Sequence, residues 1–454
     1  MPPLPARRLK AMDATTPALS FIDQYGASRD HLPGSTLPWL SALRETAIAD
    51  FAADGLPTPR AEAWKYTNLR PLEKLAFETV SDETISIDKL PTLLPHGEGG
   101  HRLVFVNGAF RADLSLLGDF PDGVEVNSLA DLLARDPGAL ETHLGRFGIG
   151  EGQPMLALNT ALMRDGLVLR IGAGVTVPMP IEVIYIGVAP DTPRAFHPRN
   201  LIVLEPRSRA TIIEHHAGLG TGGYLANSVS EVLVDAGAAL HHYKVQADDI
   251  DAFHIATSHV RLEKDAVYDS FTLATGARLS RQEISVRLAD TGAECHLNGA
   301  YMLRSEQHCD ITTAIEHEAP HTSSREVFKG VIDDDARAVF QGRIVVHPKA
   351  QKSNGHQLSK ALLLSDRAEI DAKPELEIYA DDVKCSHGAT AGDLDHAALF
   401  YLRSRGIPEA AARHLLIEAF LTDTIRRIAA EGLCPALMAS VGAWLSDAAQ
   451  RGTS

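Results

Sequence analysis

The sequence predicts a mainly β molecule with helical flanks, its β core wound as a solenoid. Three observations lead there. From about Leu167 the chain breaks into short β-rich runs separated by Gly, Pro and Asp, such as Leu167-Val168-Leu169-Arg170-Ile171 and Ile181-Glu182-Val183-Ile184-Tyr185-Ile186. A polar turn leading to an alanine then recurs at Ala210, Ala238, Ala266, Ala293, Ala336 and Ala368, in steps of 28, 28, 27, 43 and 32 residues. Stacked coils leave this trace: a small residue at each tight corner, alternating strands between corners, and longer steps that hold inserted loops. After Asp393 the β texture stops and helical spacing begins. A large antiparallel sandwich is the rival architecture, because its turns also recur at intervals.

The elements follow in order. Residues 1–36 contain several prolines and little pattern, and read as a flexible arm. Leu40, Leu43, Ala47, Ile48 and Phe51 fall on one helical face, so an amphipathic helix is expected from about Leu37 to Phe51. The turn Gly55-Leu56-Pro57-Thr58-Pro59 ends it. The expected division is an N-terminal α-rich or mixed domain over 37–160, the β core over 161–393 and a helical domain over 394–454. In the last, Leu399, Leu402, Ile407, Leu415, Leu416, Phe420 and Ile425 have helical spacing, broken at Gly406-Ile407-Pro408. Glycine closes one helix there and proline opens the next. A further helix is expected through Ala436–Ala449.

Bulk properties narrow the function. A chain of 454 residues exceeds one ordinary core, and 45% hydrophobic with 22% charged residues describes a globular protein. A formal charge of −16 argues against a general nucleic-acid or anionic-membrane surface. The four cysteines form no CxxC pair and suggest no disulfide framework, so a reducing cytosol fits best. Arg7, Arg8 and Lys10 are not followed by an apolar segment, which argues against a secretory signal, and no run reaches the ~20 apolar residues of a membrane helix.

Several motifs fail on context. Gly218-Leu219-Gly220-Thr221-Gly222-Gly223 matches GxGxxG, but a dinucleotide site needs a helix next, and Tyr224–Val234 alternates like a strand. No GxxxxGK[ST], GxSxG or HExxH motif occurs. Asp381-Asp382 and Asp333–Asp335 read as solvated turns. His215-His216, His241-His242, Cys295-His296 and His308-Cys309 are adjacent pairs, whose members face opposite sides of a strand. In Glu316-His317-Glu318, with His321 nearby, the two carboxylates share a face and His317 takes the other.

Cys385 and His387 differ, because the i, i+2 spacing at the end of an alternating segment points both to one face. A thiolate and a neutral imidazole are ligands for iron or zinc, which usually take four, so the pair is half a metal site or simple packing.

The residues around this pair carry a resemblance. Gln341-Gly342-Arg343-Ile344-Val345-Val346, Ala350-Gln351-Lys352-Ser353-Asn354, Leu362-Leu363-Leu364-Ser365, Lys373 through Thr390 and Phe400-Tyr401-Leu402-Arg403-Ser404-Arg405-Gly406-Ile407 resemble the SufB/SufD family of SUF-system iron–sulfur cluster assembly proteins. Cys385-Ser386-His387-Gly388-Ala389-Thr390 and Arg60-Ala61-Glu62-Ala63-Trp64-Lys65-Tyr66-Thr67 resemble its SufD branch. The resemblance covers roughly residues 37–430. It implies a right-handed parallel β-helix between an N-terminal α-rich domain and a C-terminal helical domain. It also implies a non-catalytic scaffold working with a SufB-like subunit and two copies of a SufC-like ATPase. The ATPase would dock at about Asp395–Ile428 and carry out all ATP hydrolysis. Cys385 and His387 would be ligands of a nascent, transient cluster shared across the SufB interface, and a homodimer in isolation is a further expectation. Flavin binding is left open by the residues.

Overall fold

The computed structural model describes residues 17–78, 83, 85–91, 100–146, 152–189, 192–220, 222–428 and 430–451. Its centre is a parallel β-solenoid made of two facing sheets. One sheet stacks, in order, Ala109–Phe110, His101–Val106, Ile181–Gly187, Arg209–Gly218, Ala239–Ala247, Val267–Ala274, Glu294–Leu303, Ser323–Ile332, Asn354–Leu363 and Lys384–Gly392. The other stacks Val124–Ser128, Leu167–Ile171, Arg199–Leu204, Tyr224–Val234, Phe253–Leu262, Leu279–Leu288, His308–His317, Arg337–Val346 and Glu369–Ile378. From Arg199 onward consecutive strands alternate between the sheets, and every pairing in that stretch is parallel. The antiparallel pairs lie at the start, between His101–Val106 and Ala109–Phe110 and between Val124–Ser128 and Leu167–Ile171.

Alternation builds the core. Along Asn354–Leu363 the residues Gly355, Gln357, Ser359 and Ala361 are buried while His356, Leu358 and Lys360 are less so. The lumen between the sheets is filled by the inward set of every strand, among them Leu240, Tyr268, Cys295, Ile311, Phe328, Phe340 and Ile344.

The corner alanines have a different geometry from the one expected. Ala238, Ala266 and Ala293 occupy one corner, where the carbonyl of each accepts from the next coil's Val267, Glu294 and Ser323. Thr322 and Ser353 continue that same column, their carbonyls accepting from Asn354 and Lys384. Ala336 and Ala368 belong to the opposite corner. The step of 43 residues therefore holds no inserted loop. It is one and a half coils, and the small residue changes corner.

Two boundaries also move. Residues Pro17–Ser28, placed by sequence in a flexible arm, form a helix whose Phe21 is fully buried, stacked on Phe77 and edge-on to Phe51; residues 1–16 lie outside the described residues. The solenoid starts before residue 161, because His101–Val106 and Val124–Ser128 already belong to its sheets. A residue-by-residue reading placed 37–160 apart because short strands among helices give no long period.

The expected N-terminal helix spans Pro38–Asp54 and ends at Gly55, whose φ of 68° suits a residue without Cβ. The segment Arg60–Asn68 is strapped to the outer face of the second sheet. Trp64 is buried under the Arg281 guanidinium, 4.1 Å from its ring centre, and Thr67 bonds Asp310 and His308. At the other end, helices Glu409–Ile425 and Cys434–Arg451 pack on the first sheet, and His396–Ser404 packs against Glu409–Ile425. Lys329 fixes the middle helix, donating to the Phe420 carbonyl at 2.8 Å and pairing with Asp423 at 3.0 Å. Among the described residues no helix is long and apolar enough to cross a membrane.

Candidate metal centre

Each sheet ends in a strand with a neighbour on one side. Glu369–Ile378 pairs with Arg337–Val346, and Lys384–Gly392 pairs with Asn354–Leu363. Among the described residues nothing pairs with their outer edges, so the solenoid stops with an open coil. Burial falls accordingly, and on Lys384–Gly392 all residues but Cys385 and Gly388 are exposed.

Cys385 and His387 lie on this last coil. Register sets Cys385 beside Gly355 and His387 beside Gln357, both buried and inward-facing. The pair therefore shares the face that points into the lumen, as the i, i+2 spacing predicts. Cys385 is half-buried and packs against the end of the core, where Leu376, Val383 and Ile370 also sit. Its neighbour Gly355 has no side chain, and a Cβ there would lie 3.6 Å from the Cys385 sulfur. His387 is exposed at the rim. Ser386 points the other way and bonds His356 at 2.8 Å on the outer face.

Partial burial raises the Cys385 thiol above its ordinary value, partly offset by the Gly355 backbone N–H. The free thiol is thus held protonated at neutral pH, and a metal must displace the proton to bind.

Below the pair lies a polar column that sequence reasoning missed. His387, Gln357 and Glu326 occupy successive coils of one inward row. The Gln357 amide donates to Glu326 at 2.6 Å. Glu326 is fully buried, with no ion pair to a cation among the described residues, and burial pushes its carboxyl up to about 7. The space for Gln357 exists because residue 342, across the lumen, is glycine; a Cβ there would meet the amide nitrogen at 2.0 Å. The sequence signal was Gly342 inside an apolar strand, which marks a close approach.

The other candidates are placed apart from the rim. Cys295 and Cys309 are buried in the lumen, where burial raises both thiols, Cys309 to about 12. Cys434 starts the last helix, with its sulfur 3.6 Å from the Ile425 carbonyl. None of the four cysteines forms a disulfide. His215 faces outward toward Glu182, while His216 faces inward and bonds Glu214. His317 is buried and bonded to Thr322 and Ser324. Of the Gly218–Gly223 motif, Gly218 ends the strand Arg209–Gly218 and Thr221 lies outside the described residues; a strand, Tyr224–Val234, follows in place of the helix a dinucleotide site needs.

Comparison with known proteins places the chain in a family. Residues 186–420 match the family described as SUF system FeS cluster assembly, SufBD core domain, and residues 15–183 match the SufBD protein N-terminal region. The chain is 32% identical to the iron–sulfur cluster assembly protein SufD of Escherichia coli over 398 residues, covering 87% of this chain and 91% of that protein. It is 28% identical to SufD of Bacillus subtilis, with the same coverage of 87% and 91%. It is 34% identical to a SufBD family iron–sulfur cluster assembly protein of Synechocystis, covering 82% and 84%. A parallel solenoid between helical flanks, matched over nearly its whole length in two adjoining segments, belongs to the SufBD family of SUF-system iron–sulfur cluster assembly proteins.

Proposed function

We propose that this chain is a non-catalytic scaffold subunit of a SUF assembly complex, pairing with a SufB-like subunit through its open coil and with a SufC-like ATPase through its C-terminal helices. The carrying observation is that Cys385 and His387 lie side by side on the inward face of the last coil, beside an unpaired strand edge. Two ligands from one chain suit a cluster completed by a partner. The partner's own strand can add to the free edge, bringing its ligands over the open lumen. A shared site of this kind opens when the subunits move, which release of a nascent cluster requires. The cluster is cargo, held transiently.

Exposed apolar residues support the second contact. Phe400 is 73% exposed and Tyr401 55%, both on helix His396–Ser404, and Leu415 on the next helix is 47% exposed. ATP hydrolysis in this reading takes place on the partner, in a reducing cytoplasm compatible with four cysteines that form no disulfide. In isolation the same edge can pair two copies of the chain, so a homodimer would compete with the complex.

The test is anaerobic reconstitution of the complex with Cys385→Ala and His387→Ala chains that retain wild-type circular dichroism. Loss of cluster formation with intact co-purification is expected. Unchanged maturation in both variants removes the ligand assignment, and failure to co-purify any SufB- or SufC-like chain with wild type removes the scaffold assignment.

A further inference from the structure

Glu316 and Glu318 share the outward face of one coil, and the next coil supplies a third side chain. The strand His308–His317 carries Glu316 near its end and Glu318 just beyond it, while His347 follows the neighbouring strand Arg337–Val346. Backbone pairing fixes the three in place: Glu316 lies in register between Arg287 and Val345, the Glu318 N–H donates to Leu288 at 3.1 Å and the His347 N–H donates to His317 at 3.0 Å. One ligand atom from each of Glu316, Glu318 and His347 lies within 4.8 Å of the other two. The His347 Nε2 to Glu316 Oε2 separation is 3.4 Å. That matches the ligand–ligand edge of about 3.4 Å in a tetrahedral site with bonds of about 2.1 Å.

Glu318 is already oriented. Arg287 donates to its Oε1 through Nε at 2.6 Å and Nη2 at 2.5 Å, and these contacts leave Oε2 for a ligand. A ligating carboxylate held by a second hydrogen-bonding group is common around metals and fixes its direction. The Arg287 charge cancels one of the two carboxylates, so a dication meets a net charge of about −1 instead of −2, enough to favour it over a monovalent ion. All three side chains are partly exposed, Glu318 at 20%, Glu316 at 30% and His347 at 42%, so an ion can reach them.

We propose that Glu316, Glu318 and His347 form a divalent-cation site on the outer wall of the solenoid. Two carboxylates and one imidazole, with no thiolate, suit a borderline first-row dication such as Mn(II), Fe(II) or Zn(II), and disfavour Cu(I). Water fills the remaining positions. The site is separate from the rim, because these residues face outward from one sheet while Cys385 and His387 face inward from the other.

The experiment uses the full chain carrying Cys385→Ala and His387→Ala, so that rim binding cannot contribute and the fate of the cluster reading has no bearing. Mn(II) is titrated with loss of the free-ion electron paramagnetic resonance signal as the readout, and Zn(II) is then added as competitor. Saturable binding of one Mn(II) per chain, displaced by Zn(II), is expected. His347→Ala and Glu316→Gln should each weaken it by about tenfold or more, with circular dichroism unchanged. Absence of saturable binding, or binding indifferent to both substitutions, overturns the site.

Discussion

At the residue scale the lumen beneath the rim is defined by Glu326. Its carboxyl titrates near 7 when folded, because burial penalises the charge, against an ordinary value of 4.5 when unfolded. A raised carboxyl favours the folded state least when charged. Stability contributed by this residue therefore falls as pH rises from about 4.5 to about 7, and the full penalty, on the order of 3 kcal/mol, stands above that window. Glu326→Gln keeps an acceptor for the Gln357 amide and removes the charge. The variant is expected to gain stability over wild type by about 2–3 kcal/mol more at pH 8 than at pH 5, measured by denaturant midpoints at the two values. An equal gain at both would show that the carboxyl is not the titrating group. Glu326 was not legible in the sequence because its partner Gln357 is 31 positions away and only coil stacking joins them. Cys385 and His387 were legible, since a shared face follows from period two alone.

At the element scale the informative strand is Lys384–Gly392. Its inner edge is bonded to Asn354–Leu363, with the Lys384 N–H donating to Ser353 at 3.0 Å. In a parallel ladder every second residue bonds the same neighbour, so the N–H of Ala389 points to the open side. Ala389→Pro removes that donor and places a ring where a partner strand would lie, while the existing ladder bonds stay in place. The expected result is a folded chain that no longer pairs with the SufB-like subunit on size-exclusion chromatography. An intact pair would mean that docking does not use this edge. Strand boundaries were readable from Leu167 onward because each coil repeats turn, small residue and alternating run. The two corners were not distinguishable, because Ala293 and Ala336 look alike in sequence yet lie on opposite sides of the lumen. Likewise the strands at 101–106 and 124–128 sit among helices, and only their pairing assigns them to the solenoid.

At the scale of the whole molecule, the described residues form a rod capped unequally. The start of the solenoid is covered by antiparallel strands and by helices anchored through buried groups. One is Arg44, which bonds the Met163 carbonyl at 2.9 Å and is lowered to about 10 by burial. The far end is bare and carries Ile378 at 42% and Tyr379 at 61% exposure beside the thiol and imidazole. Exposed strand edges invite pairing and are usually blunted; Pro374 and the charged residues of Glu369–Ile378 blunt one edge, whereas the edge of Lys384–Gly392, which carries the thiol and the imidazole, has no proline, and in the proposed reading that edge is the interface. Sequence alone supplied the candidate pair Cys385 and His387 and no matching second pair of ligands. In the proposed reading the open coil accounts for this, because the remaining ligands would approach from beyond the last strand.

The most direct test of that claim is pulsed electron paramagnetic resonance on the reconstituted complex, with ¹⁵N-histidine incorporated in this chain alone and the cluster reduced to a paramagnetic state. The account predicts a ¹⁵N hyperfine coupling to the cluster that disappears in His387→Ala. A cluster formed in full yield that shows no ¹⁵N coupling from this chain would contradict it.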